Sequence, residues 1–179
     1  KNEFIANLGK EIQERGKISS IVHYHNSYFV GFLMDGILLL EKQKETNHYQ
    51  IQSLPINSGV FCLKKDRFQD VVWIGTDGQG VYLYSNPLYS IKSMVLSNYT
   101  EKIERPVRAI YLDDERTFWV GTKGNGILKI YDYEFDKNIS DCRAEVLTTS
   151  NSALSSNAVY CFAKSHRNLL WIGDEEGLT

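Results

Sequence analysis

An all-β chain built from repeated four-stranded antiparallel sheets is what the sequence predicts, and three observations predict it. The first is a recurring segment. Residues 72–84 read VWIGTDGQGVYLY, 118–131 read FWVGTKGNGILKIY and 170–178 read LWIGDEEGL, and a looser copy at 28–40 reads YFVGFLMDGILLL. The second is the spacing. The anchors Phe29, Trp73, Trp119 and Trp171 stand 44, 46 and 52 residues apart, and all 3 tryptophans of the chain occupy this one position. The third is the placement of glycine. Ten of the 13 glycines lie inside the copies, where tight hairpins need positive φ. A period of about 45 residues with four short strands per repeat is that of a β-propeller blade. The expected fold is therefore a partial propeller of about four blades, spanning 1–179.

Taken in order, residues 1–16 stand apart. Phe4, Ile5, Leu8 and Ile12 suit either a short helix or the last strand of a preceding blade, so this stretch is a connector or the end of such a blade. The first blade covers 17–54, the second 57–97, the third 105–148, and an incomplete fourth runs over 157–179. Each opens on an inner strand: Ile18, Ser20 and Ile21; Val60, Cys62 and Leu63; Val107, Ala109 and Ile110; Val159, Cys161 and Phe162. Their third position is always small, as a tightly packed inner strand requires, which accounts for two of the 3 cysteines as small hydrophobes. The motif copy then supplies a hairpin. Val71–Thr76 and Thr117–Thr122 are aromatic and β-branched, the turns DGQG and KGNG follow, and Val81–Tyr84 and Ile127–Tyr131 return. Fourth strands fit at Tyr49–Ser53, Ile91–Leu96 and Ala144–Leu147. Helical repeats of similar length would need apolar spacing of 3.6, and the copies lack it.

Composition narrows the function. With 20 Lys and Arg against 22 Asp and Glu, the formal net charge is −2 and no basic block occurs. That argues against a nucleic-acid surface and gives no sign of an anionic-membrane patch. No apolar run approaches the roughly 20 residues of a spanning helix. Cys62, Cys142 and Cys161 fit no zinc spacing, and the 4 histidines are scattered, so neither a metal nor a cofactor is expected. The chain begins at Lys1 and stops at Thr179 inside a motif copy, so it reads as an excerpt of a longer protein. An arc left open would expose apolar faces at its ends, and self-association is expected of it.

WIGTDGQGVYLY, FWVGTKGNGILKIY and LWIGDEEGL, with acidic turns at Asp66 and at Asp113–Asp114, resemble the two-component regulator propeller repeat. The resemblance is strong over 57–178 and weak at 17–42, where Phe29 replaces Trp and Phe32 replaces Thr. It implies the periplasmic sensor region of a bacterial hybrid two-component system. Such a region senses a glycan-derived oligosaccharide and signals to a histidine kinase across the membrane, through parts of the parent protein outside these residues. Two other readings stay open: a scaffold for protein–protein interaction, and a fragment of a propeller enzyme such as a lyase or quinoprotein.

No catalytic motif supports the enzyme reading. The acidic runs Asp113–Asp114–Glu115 and Asp174–Glu175–Glu176 fall in turns, where solvated acids are common. The glycine turns lead into strands, whereas a phosphate-binding loop leads into a helix. The tryptophans, in register within every strand, read as packing residues rather than sugar platforms. Ligand-binding candidates are instead the polar residues of one rim. Asp77, Gln79, Lys123, Asn125 and Glu175 stand in the turns between second and third strands. Asn57, Arg105 and Asn157 stand where the chain leads into the first strands. Loops on a rigid scaffold are where binding groups concentrate; an ordinary solvated rim is the competing interpretation.

Overall fold

A computed structural model describes residues 2–45, 48–85, 90–93, 105–134 and 141–179, with side chains in the first helix described from Leu8 onward. Apart from that helix, α1 (Asn2–Arg15), the described chain is β. Four antiparallel sheets follow one another along the sequence. The first contains β1 (Ile18–Tyr24), β2 (Ser27–Phe32), β3 (Ile37–Lys42) and β4 (Tyr49–Ser53). The second contains β5 (Val60–Lys65), β6 (Val71–Thr76), β7 (Val81–Ser85) and β8 (Ser90–Ser93). The third contains β9 (Val107–Leu112), β10 (Phe118–Thr122), β11 (Ile127–Ile130) and β12 (Ala144–Leu147). The fourth has two strands, β13 (Val159–Lys164) and β14 (Leu170–Asp174). Within each sheet, strands pair in chain order, and no sheet closes on itself. The arrangement is consistent with a partial, propeller-like β fold.

The hairpins form for local reasons. Gly78 and Gly80 sit at φ 77° and 75°, and Gly124 and Gly126 at 110° and 72°, in the left-handed region that side chains avoid. The threonine of the motif closes each loop. Thr76 donates its amide (3.1 Å) and its hydroxyl (2.7 Å) to Gly80 O, and Thr122 does the same to Gly126 O (3.0 and 2.9 Å).

The acidic turns have a defined task. Asp66 accepts from the buried Trp73 Nε1 at 2.7 Å and from the amides of Phe68 and Gln69. Asp113 accepts from Trp119 Nε1 at 3.0 Å. Motif tryptophan and turn carboxylate are thus one unit, which neither shows alone.

The second strands take part in the stacking, and β6, between two sheets, is buried along its whole length. Phe29 packs with Ile74 and Tyr84 of the second sheet, and its ring lies 4.8 Å from that of Tyr84. Trp73 packs with Leu112, Phe118 and Tyr133 of the third, with ring centroids of Trp73 and Phe118 4.6 Å apart. Trp119 meets Val159 and Phe162 of the fourth. The glycine preceding the motif threonine permits this stacking. A Cβ on Gly75 would lie 2.6 Å from Cys62 Sγ, 2.8 Å from Val107 Cγ1 and 2.9 Å from Val107 O. Gly31 and Gly121 receive Val60 and Val159 in the same way. Small residues at the third inner-strand position lie directly opposite these glycines: Ser20 pairs with Gly31, Cys62 with Gly75, Ala109 with Gly121 and Cys161 with Gly173.

Two sequence expectations are refined. Residues 2–15 are helical, so the alternative of a final strand of a preceding blade is discarded. α1 lays Leu8 and Ile12 on Val30, Phe32, Leu38 and Leu40 and ends at Gly16, whose amide bonds to Ile12 O at 3.1 Å. The fourth strand of the second sheet runs over Ser90–Ser93, one residue earlier than expected, and positions 94–97 lie outside the described residues.

Candidate functional site

Successive sheets approach most closely through their inner strands, β1 to β5, β5 to β9 and β9 to β13. Each inner strand carries the same irregularity. The register shifts between Ile18 and Ser20, between Val60 and Cys62, between Val107 and Ala109, and between Val159 and Cys161. One residue per strand is therefore extra: Ser19, Phe61, Arg108 or Tyr160. A bulge of this kind re-aims a side chain. Here it brings three of the four together. The Arg108 guanidinium lies 5.5 Å from the Phe61 ring centroid and 4.5 Å from that of Tyr160. Arg108 Nε is buried with no hydrogen-bond partner.

The rim at the start of these strands holds the sequence-predicted residues. The Asp77 amide donates to Gly59 O at 2.8 Å, and Gln79 Nε2 reaches Asn57 O at 3.4 Å. The Lys123 amide donates to Pro106 O beside Arg105, and the Glu175 amide to Ala158 O. Asn157 is a connector: its carbonyl accepts from the amides of Gly124 and Gly126, and its Oδ1 accepts from the Thr149 amide at 2.9 Å. Asn125 donates its amide to Thr122 Oγ1 at 3.0 Å. The eight thus share one rim, but in separate groups, one for each turn. Neither cleft described next is lined by any of them.

Those clefts open at the other end of the inner strands, beside the acidic turns. The larger has a volume of about 620 Å³ and is lined from all four inner strands. Ile21 and Val22 line it from β1 and Leu63, Lys64 and Lys65 from β5. Asp66 and Arg67 follow from the turn, Tyr111 and Leu112 from β9, and Lys164 from β13. The smaller, about 240 Å³, shares Tyr111 and Lys164 and adds Asp113, Asp114 and Trp119. Asp114 links the two. Its Oδ1 takes a bond from Arg67 Nη1 at 2.8 Å, and its Oδ2 meets Lys164 Nζ. The hydrogen bond from Lys164 holds the Asp114 carboxyl below the usual carboxylate range, and the same bond raises the lysine. Tyr111 Oη is buried without a partner. Nothing in a linear reading marks these groups, because Lys164 joins Lys64, Lys65 and Arg67 only through the adjacency of the inner strands.

The remaining titratable features are structural. Burial pushes the Cys62 thiol up to about 12. Burial acts to raise Asp174, but bonds from Ser155 and from the amides of Ser156, Glu176 and Gly177 outweigh it and hold the carboxyl low. No group of three or more potential metal ligands occurs among the described residues.

The fold has solved counterparts. The extracellular domain of BT3049 from B. thetaiotaomicron, assigned to the hybrid two-component systems, is 24% identical over 93% of this chain with a TM-score of 0.70. That of BT4673 from the same organism, also assigned to a hybrid two-component system, is 20% identical over 91% with a TM-score of 0.66. PorZ of Porphyromonas gingivalis, a surface component of the type-IX secretion system, is 16% identical over 94% with a TM-score of 0.66. The chain spans 21% of the length of the first two and 26% of PorZ. At these identities the likeness is one of fold. No family model matches the sequence, and no curated relative does.

Proposed function

We propose that this chain is part of the extracytoplasmic, ligand-sensing region of a hybrid two-component system, built from repeats of the two-component regulator propeller kind. In this reading the sheets are blades 17–54, 57–97, 105–148 and 157–179 of a ring completed by the rest of a longer, periplasmic parent. The chain is non-catalytic. It takes part in recognising a glycan-derived oligosaccharide and passes a change of shape to a histidine kinase. One observation carries the proposal: an arc of sheets, bearing the WIGT repeat, that superposes over nearly all its length on the BT3049 extracellular domain. The inner strands offer what a ligand switch requires, groups contributed by several sheets whose relative placement a ligand can favour or disfavour.

A second reading is favoured by the likeness to PorZ: a scaffold that meets a protein partner, with no small ligand. Calorimetry of the complete extracytoplasmic region against a panel of oligosaccharides decides between them. Saturable binding of one glycan class supports the sensor. Silence across the panel, with capture of a protein partner by the same region, supports the scaffold and ends the first reading.

A further inference from the structure

We infer that the 620 Å³ cleft is a site for an anionic oligosaccharide, one bearing sulfate or carboxylate groups, which Lys64, Lys65, Arg67 and Lys164 meet and for which Asp114 competes. This deepens the sensor reading and rests on it.

The volume lies within the roughly 300–1,000 Å³ usual for small-ligand sites. Four cations line it. Arg67 and Lys164 are paired with Asp114, and the lining carboxylate Asp66 is engaged by the Trp73 indole and two amides, so Lys64 and Lys65 carry the excess positive charge. Neither Lys64 nor Lys65 has a carboxylate partner among the described residues. Like charges gathered in a concavity repel one another, and an anion relieves the repulsion. Arg67 and Lys164 come from different sheets, and both reach for Asp114 of a third. They show by that contact that an anionic oxygen is accommodated between them. Tyr111 lines the same cleft, and its hydroxyl is buried without a partner.

Engagement of Arg67 and Lys164 by a ligand would release Asp114. That would undo the polar latch joining the second, third and fourth sheets. Binding and rearrangement are thereby coupled at one carboxylate.

Titration calorimetry of the complete extracytoplasmic region tests the inference with four probes: a sulfated heparin disaccharide, digalacturonate, neutral cellobiose and inorganic sulfate. At least one anionic sugar is expected to bind, more weakly at higher ionic strength, with cellobiose silent. Lys64→Gln combined with Lys65→Gln, both exposed positions, is expected to weaken binding by about tenfold or more. Asp114→Asn is expected to strengthen it by freeing two cations. Far-UV circular dichroism confirms that the variants remain folded. Absence of binding by both anionic sugars, or binding indifferent to the lysine changes, overturns the inference. Inorganic sulfate binding as tightly as the disaccharide overturns the oligosaccharide assignment. Cellobiose binding that survives the lysine changes overturns the anionic site while leaving the sensor reading intact.

Discussion

Trp73 and Trp171 occupy the same place in the same motif and live in different surroundings. Trp73 is fully buried, its indole bonded to Asp66 and its ring stacked near Phe118 of the following sheet. Trp171 is 42% exposed. Ser165 replaces the turn aspartate there, and no described sheet follows. Trp119, against the two-stranded fourth sheet, is half-buried. The motif thus prepares one face of a sheet, and the next sheet supplies the burial energy. The same contrast holds at the two ends of the arc. At the first sheet, α1 covers the outward apolar face, whereas the fourth presents Trp171, Leu169 and Leu178 to solvent.

This contrast can be broken by substitution. Trp73→Ala is expected to cost about 3–5 kcal/mol, as large aromatic truncations in cores do. Trp171→Ala should stay within about 0.5 kcal/mol, the usual range for surface changes. Urea denaturation of both variants measures the gap, and equal losses would mean the two sites are energetically equivalent. Gly75→Ala should cost about 1–3 kcal/mol, because Val107 O cannot move aside. Gly173→Ala should cost less, since the close neighbour is the side chain of exposed Cys161. A melting-temperature loss as large for Gly173→Ala as for Gly75→Ala would contradict this account.

The turn residues sharpen it. Asp66→Ala strands a buried indole N–H and two amides, at about 1–3 kcal/mol, while Ser165→Ala should be close to neutral. Acid separates the regions as well. The Asp174 carboxyl titrates below its ordinary value of 3.8 in the folded chain. Its contribution is therefore fully present above that value and lost as pH falls through the lower folded one. Stability measured against pH should show a shallower acid limb in Asp174→Asn. The smallest effect is a matter of accessibility. Cys161 is exposed and Cys62 is held protonated up to about 12 by burial, so a thiol reagent near neutral pH should label Cys161 and spare Cys62 until the chain unfolds. Equal labelling rates would show the second sheet to be as open as the fourth.

The repeat, the hairpins and the inner strands were legible in the sequence because their causes are local. A glycine at positive φ, a threonine closing the loop and alternating apolar residues act within a dozen positions. The bonding of Asp66 and Asp113 to Trp73 and Trp119 could have been read from an aspartate standing seven and six residues before the tryptophan in the second and third copies. α1 could not, since its apolar positions fit a strand or a helix until a surface was there to receive Leu8 and Ile12. The eight polar residues that the sequence singled out on the rim lie outside both clefts, and the Arg108 stack, which depends on a bulge, had no mark in the sequence. The basic cleft was invisible for a stronger reason. A net charge of −2 and the absence of a basic run describe order along the chain. Lys64, Lys65 and Arg67 are neighbours along the chain, and Lys164 joins them only because successive sheets bring their inner strands together. Local chemistry determined each sheet, and only the packing of one sheet on the next decided which charges share a cavity.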